Sequence, residues 1–332
     1  MGTNGYEVGP IRPPSESGSL LLRVTRNCPW NRCKFCNIYK GQRFGTRPFE
    51  EIKADIDNIK TIYGDNVPAT VFLQDANTAV LSYDKLREIL VYLRETLPQV
   101  KRVTSYGRVD SLAKFSAAEL VGLKEAGLDR VHSGFESGSD KVLSLINKGY
   151  TKAQEIEAGR NVKAAGIELS VYYMPGVGGK ELSDDNAIET ADVVSKTNPD
   201  FVRIRTFVSK PGTGLYEDIE AGLMTECTDK EKLMELKRFI ENVDGADGYL
   251  YSDHIINLLN TVNGNLTNDK ERMLSEITAF EELGPDEQRR FQLTRRMRLF
   301  GARPEDIDML LMQLDSEEKF EGFLLSLMRE YI

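Results

Sequence analysis

The chain has 332 residues, 40% of them apolar, enough for one large α/β domain with an appendage or for two ordinary domains. Its 43 Lys and Arg against 52 Asp and Glu give a formal net charge of −9, so no broad basic surface marks nucleic acid or anionic lipid as a partner. No apolar run is long enough to span a bilayer, and residues 1–14 carry no basic region followed by a hydrophobic one, so the expected location is the cytoplasm, without membrane attachment.

Residues 1–18 are rich in Gly, Pro and Ser and lack a hydrophobic period, which predicts a loosely ordered lead-in. Short apolar runs then alternate with amphipathic stretches. The runs predict strands at 20–25, 70–74, 102–105, 130–135, 168–174 and 201–207. The stretches predict helices at 48–63, 82–97, 116–126, 140–147, 152–165 and 183–197. Ser116 with Glu119 three residues on matches a capping box, whereas Ser82 has Lys85 at that place. Strands alternating with helices make a parallel sheet, and right-handed crossovers curl it into a partial (β/α)6 TIM-like barrel over residues 19–244. Such folds carry their chemistry at the carboxyl ends of the strands. From residue 245 the pattern changes. An apolar stretch at 249–259 precedes charged helical segments at 269–282, 285–299, 304–314 and 317–331, a small, mostly helical C-terminal module over 245–332.

Three of the four cysteines lie within nine residues, in Cys28-Pro29-Trp30-Asn31-Arg32-Cys33-Lys34-Phe35-Cys36, just after the first strand. In a reducing compartment this C-x4-C-x2-C pattern reads as a metal site rather than a disulfide framework. Three thiolates on one loop can surround a 4Fe–4S cubane and leave one iron open to a chelating ligand. Three plainer readings compete. A structural zinc would need a fourth Cys or His nearby, and the only histidines are His132 and His254. A plant-type ferredoxin has this spacing but a closing fourth Cys, and Cys227 lies 191 residues beyond Cys36. Inert core cysteines would not sit in a loop as polar as this one.

A strand, a three-Cys loop with the aromatic Phe35 before its last Cys, and five further βα units resemble the radical S-adenosylmethionine (SAM) superfamily over residues 18–215. The usual spacing there is C-x3-C-x2-C, and this loop is one residue longer. The resemblance implies that Cys28, Cys33 and Cys36 hold a 4Fe–4S cluster, that SAM is the second cofactor, and that Phe35 lies against the cofactors.

Further positions match one at a time. The end of the second strand, Gln74-Asp75-Ala76-Asn77, stands where the family binds the methionyl amino group; its glycines are absent, but Gln74, Asp75 and Asn77 supply acceptors, with loop capping by Asp75 the alternative. Ser105, at the end of the third strand, stands where family members contact the nucleotide. Gly134-Phe135-Glu136-Ser137-Gly138-Ser139 resembles the G-x-E-S-G-S segment of the branch holding methylthiotransferases, the Elongator catalytic subunit and coproporphyrinogen dehydrogenases. Glu136 would there accept from the ribose hydroxyls or the ammonium group, or else pair with a barrel arginine. Met174 and the glycines after it match the stretch against which adenine packs, and Pro211-Gly212-Thr213-Gly214-Leu215 resembles the P-G-T-x-L segment of the same branch.

Arg203 and Arg205 are two apart on the sixth strand and share a face, with Val202, Ile204 and Thr206 on the other. Facing inward, they need anionic partners: the methionyl carboxylate, an acidic substrate group, or internal carboxylates such as Glu136 and Glu168. His132 and Tyr172 are candidates for catalysis or substrate contact, with a satisfied core histidine the alternative for His132. Cys227 reads as a bystander.

Membership would imply reductive cleavage of SAM to methionine and a 5′-deoxyadenosyl radical that abstracts hydrogen from a small, anionic metabolite or cofactor precursor, with a low-potential donor such as flavodoxin or ferredoxin. A methyl- or thio-transferase acting on RNA or peptide is the second reading. Known methylthiotransferases carry three further cysteines, this chain has one, and no cobalamin-binding domain is evident. A non-catalytic iron–sulfur electron carrier or sensor is the third.

Overall fold

A computed structural model of the protein describes residues 5–301 and 303–331. Its strands are β1 (Leu20–Arg23), β2 (Thr25–Arg26), β3 (Gly45–Thr46), β4 (Thr70–Gln74), β5 (Arg102–Tyr106), β6 (Arg130–Glu136), β7 (Glu168–Tyr173), β8 (Phe201–Ile204), β9 (Tyr249–Tyr251) and β10 (Gly264–Asn265). The helices are α1 (Phe49–Tyr63), α2 (Tyr83–Thr96), α3 (Val109–Leu112), α4 (Ala117–Glu125), α5 (Asp140–Leu145), α6 (Lys152–Ala164) and α7 (Ser183–Thr197). They continue as α8 (Gly214–Glu220), α9 (Asp229–Asn242), α10 (Lys270–Glu281), α11 (Pro285–Met297), α12 (Pro304–Gln313) and α13 (Glu317–Tyr331).

The fold is mixed α/β around an eight-stranded, mostly parallel sheet in the order β1-β4-β5-β6-β7-β8-β9-β10. The pairs β1/β4, β4/β5 and β5/β6 are parallel and β9/β10 is antiparallel. All six expected strands form, and strand neighbours follow chain order as the βαβ rule requires. β4 is buried at four of its five positions and β6 at six of seven, which is why both read as apolar runs rather than alternations. Two strands, β9 in the apolar stretch at 249–259 and β10 after it, add to the sheet within the module expected to be mostly helical, so the C-terminal region contributes a hairpin as well as helices.

The chain divides into two compact units: residues 1–135, 148–172 and 196–201, and residues 136–147, 173–195 and 202–332. In the first, Val71, Phe72, Leu73 and Val103 of the sheet are buried, as are Ile52, Ile56 and Ile59 of α1 and Leu90 and Leu93 of α2. In the second, Tyr173 and Phe239 pack ring to ring at 4.7 Å, while Leu293, Ile307, Phe320 and Leu324 form a separate core among α11, α12 and α13.

Residues 5–18 differ from the expected loose lead-in. Tyr6 is buried, Gly9 is clasped by Gln74, and Glu16 is fully buried and bound to Ser19 and His132. A segment without a hydrophobic period is held here by polar bonds. No described helix is long and apolar enough to cross a membrane.

Candidate active site

The cysteine loop, residues 27–44, is closed at its base by the antiparallel pair β2/β3. Asn27 and Asn31 take left-handed backbone angles, φ 66° and 49°, a conformation asparagine tolerates better than most residues. Each then ties the loop across: Asn27 Nδ2 donates to the Arg43 carbonyl at 2.7 Å, and Asn31 Nδ2 to the Tyr39 carbonyl at 2.6 Å. The Asn31 amide also points at Cys28 Sγ, at 3.4 Å.

The loop is anchored below on Asp75, at the end of β4 and fully buried. Its carboxylate accepts from Arg23 Nε at 2.9 Å, from the Asn27 amide at 3.0 Å and from the Tyr39 hydroxyl at 3.0 Å. Arg23 also meets Glu7, which in turn binds Arg26. Burial would raise the Glu7 carboxyl, but the bond from Arg26 outweighs it, with the charges of Arg47, Arg26 and Arg23, and holds it below its ordinary range.

Two cations flank the thiols. Arg108, just past β5, donates from Nη1 to Cys33 Sγ at 4.0 Å, from Nη2 to the Lys148 carbonyl at 2.7 Å and from Nε to Asp110 at 2.9 Å. Its guanidinium lies over the rings of Trp30, at 5.1 Å, and Tyr150, at 5.4 Å. Lys148, itself buried, sets its ammonium over Phe35 at 5.4 Å and Tyr150 at 5.8 Å. Burial pushes the Cys36 thiol up, the other two thiols add to this, and the Lys148 charge opposes it.

All four cysteines are free thiols, and Cys28, Cys33 and Cys36 feel one another electrostatically. Among the described residues no three His, Cys, Asp or Glu converge on a point where one metal ion would fit. A cubane is a different case: it seats each thiolate on a separate iron, so its ligands must stand apart. Three thiols ringed by an arginine, a lysine and aromatic faces fit such an anionic cluster and no single-ion site.

The other expected residues divide between the units. In the first, Gln74 is spent on the N-terminal segment, accepting from the Gly9 amide at 2.8 Å and donating to the Ile11 carbonyl at 2.6 Å. Asn77 accepts from the Arg108 amide and donates to Ser111. Gln74, Asp75 and Asn77, read as acceptors for the methionyl group, thus build the scaffold of the loop and of the β5 end. Ser105 is buried on β5. His132 is fully buried, its Nε2 3.1 Å from Glu16, with the Phe72, Tyr106 and Tyr172 rings around it. Burial would raise Glu16, but the bonds from His132 and Ser19 and the nearby Arg102 charge hold it low.

In the second unit, Glu136 stands at φ 67°, a strained angle for a glutamate, with its carbonyl accepting from the Met174 amide at 2.9 Å. Arg203 is buried over the Tyr251 ring at 4.8 Å. Arg205 lies just beyond β8, and its charge adds to burial in pushing His254 down to about 4. Glu168, an alternative partner for these arginines, is bound to Arg130 in the first unit. Cys227 is fully buried, its thiol pushed up to about 12 by burial and the Glu235 charge.

Sequence reasoning missed Arg108, Lys148 and Glu235. Glu235 of α9 is fully buried and takes four bonds, from Tyr173, the Gly176 amide, Ser183 and Asn186, and so holds the glycine-bearing turn after β7. The capping box Thr228–Glu231 was a legible signal for α9.

The model of the radical SAM superfamily matches residues 22–193, from β1 into α7. The chain belongs to the radical SAM superfamily. Membership makes it an enzyme and brings the two cofactors of that family, a 4Fe–4S cluster and SAM. It is similar to an uncharacterized methyltransferase of Pyrococcus horikoshii, 26% identical over 227 residues, 66% of this chain and 47% of that protein. It is also similar to the tRNA-2-methylthio-N(6)-dimethylallyladenosine synthase of Chlorobium phaeobacteroides, 24% identical over 214 residues, 60% of this chain and 45% of that one. The radical SAM chain thus spans about half the length of these curated relatives. Among solved structures, the cobalamin-dependent radical enzyme OxsB matches with a TM-score of 0.53 at 16% identity, over 94% of this chain and 54% of that one. Coproporphyrinogen III oxidase of Escherichia coli matches with a TM-score of 0.50 at 14% identity, over 67% and 51%. These two likenesses bear on the fold alone, that of radical SAM partial barrels.

Proposed function

We propose that this radical SAM enzyme holds its cluster on Cys28, Cys33 and Cys36, cleaves SAM reductively, and abstracts hydrogen from a small, anionic metabolite or cofactor precursor in the cytoplasm, reduced by a flavodoxin or ferredoxin. The observation that carries the proposal is the cysteine loop itself: three free thiols, a scaffold centred on Asp75, and two flanking cations. When bound, the reduced cluster supplies one electron to the sulfonium of SAM, whose carbon–sulfur cleavage yields methionine and a 5′-deoxyadenosyl radical.

The chain's own residues position the ligands and exclude water. Phe35 covers the cofactor side of the loop, and Ser105 contacts the nucleotide. Glu136 accepts from the ribose hydroxyls or the ammonium group; its strained backbone favours a functional over a merely structural carboxylate. Met174 packs against adenine. Arg203 and Arg205 take the methionyl carboxylate and an acidic group of the substrate, as planar guanidinium groups do. Tyr172 is retained as a candidate for substrate contact, while His132, bound to Glu16, is left out of the chemistry.

Anaerobically reconstituted protein, reduced with dithionite, is expected to turn SAM slowly into 5′-deoxyadenosine without substrate. A fully loaded protein that forms none overturns the enzyme reading in favour of an electron carrier. Glu136→Gln should raise the SAM requirement at unchanged iron content, and Arg205→Met should weaken SAM or substrate binding by on the order of 2–5 kcal/mol.

A second reading, transfer of a methyl or methylthio group to RNA or peptide, is favoured by the names of the two curated relatives. Modified nucleosides in RNA incubated with the loaded enzyme would decide for it.

A further inference from the structure

Arg108 and Lys148 enter neither the scaffold that folds the cysteine loop nor the ligand contacts proposed above, yet each is held with several bonds. Lys148 sits between two left-handed residues, Asn147 at φ 53° and Gly149 at φ 82°. Gly149 cannot carry a side chain, because a Cβ there would collide with the Trp30 indole. The turn is therefore moulded onto the loop. Its carbonyl takes Arg108 Nη2, and its ammonium lies between the rings of Phe35 and Tyr150. Arg108 spans the same gap, sandwiched by Trp30 and Tyr150 with Nη1 toward Cys33 Sγ. Aromatic faces hold both cations in place, and the Asp110 carboxylate meets Arg108 at Nε, leaving Nη1 toward Cys33 Sγ.

We propose that Arg108 and Lys148 form a cationic bracket that stabilises the reduced cluster over the oxidised one and so sets its potential. The inference rests on the cluster assignment to Cys28, Cys33 and Cys36. The step is a one-electron reduction: the cluster gains one electron, a flavodoxin, ferredoxin or dithionite loses it, and no bond or proton is exchanged. Three thiolates already make the cluster anionic, and the added electron makes it more so. A fixed positive charge in a buried site therefore favours the reduced form more than the oxidised form, and a hydrogen bond to a ligating sulfur acts in the same sense.

The test is a redox titration of reconstituted protein, followed by electron paramagnetic resonance, without SAM. Lys148→Met keeps the length and apolar stem and removes the charge. Its reduction equilibrium is expected to fall about tenfold, a midpoint lower by about 59 mV for a one-electron couple. Lys148→Arg should stay close to wild type, which separates charge from packing. Arg108→Gln, which keeps planar donors over Trp30, should shift in the same direction as Lys148→Met. Iron content and far-ultraviolet circular dichroism confirm that each variant is loaded and folded. An unchanged midpoint in a loaded Lys148→Met or Arg108→Gln protein overturns the proposal and leaves both residues as staples of the loop. Failure of the wild-type protein to take up iron is a different result, and overturns the cluster assignment instead.

Discussion

Asp75 and Glu235 are both fully buried carboxylates, and their surroundings treat them differently. Asp75 meets the Arg23 guanidinium, a fixed charge, together with a hydroxyl and an amide. Removing its charge strands that arginine in a largely buried place. Asp75→Asn should therefore cost about 3 kcal/mol in urea unfolding, at the low end for a broken buried pair because Glu7 still reaches Arg23. An equally stable variant would show that the loop does not depend on this anchor. Glu235 has only neutral donors, and burial lifts its carboxyl to about 7 against their opposing bonds. In the unfolded chain it releases its proton near 4.5, so between there and 7 the folded state binds more protons. Its contribution is then full below 4.5 and is lost as pH rises toward 7, on the order of 3 kcal/mol in all. Glu321, also lifted to about 7, acts in the same sense, so the comparison must be with Glu235→Gln, whose stability should fall less over pH 5–7 than that of the wild type. Parallel curves would refute the assignment.

Among the elements, α9 carries more of the second unit than its sequence suggests. It presents Glu235 to the turn after β7, and at its first position it offers Asp229 to Arg296 of α11. That pair is bidentate, at 2.7 Å for both bonds, and Arg296 also donates to the Ile256 carbonyl at 2.8 Å. Burial alone would raise Asp229, but the Arg296 charge and bonds hold it low. Arg296→Met should destabilise the protein by about 3–5 kcal/mol by leaving a buried carboxylate unpaired. The double change with Asp229→Leu should recover most of that loss in thermal or urea unfolding. If it recovers nothing, the arginine acts through packing.

For the molecule as a whole, the cysteine loop is fastened by the chain and not by iron alone: β2/β3, Asn27, Asn31 and Asp75 hold it with protein bonds. Removal of the cluster by a chelator should therefore leave the far-ultraviolet circular dichroism unchanged. A large loss of helix would mean that the metal organises the fold, as in small zinc domains. Replacing Cys28, Cys33 and Cys36 together by Ala should abolish iron binding, while Cys227→Ala, in the other unit, should leave it intact. Iron lost with Cys227 would point to a four-thiolate site.

The strands, most helices, the three-cysteine loop and the family were legible from local signals: apolar runs, helical periods, and a spacing that few chemistries use. What the tertiary structure alone decided was which polar residues were already occupied. Gln74 and Asp75 stand where the resemblance puts the methionyl amino group, and His132 shares a strand face with Glu136. Their partners, Gly9, Arg23 and Glu16, lie 52 to 116 positions away in the chain. Arg108 and Lys148 were not singled out for the converse reason. Each is an ordinary basic residue in sequence, and becomes part of a site only when the end of β5, the 147–150 turn and the cysteine loop are folded against one another. Spacing along a chain records the chemistry a loop can do, whereas the satisfaction of a buried charge depends on distant segments meeting, and only the fold brings them together.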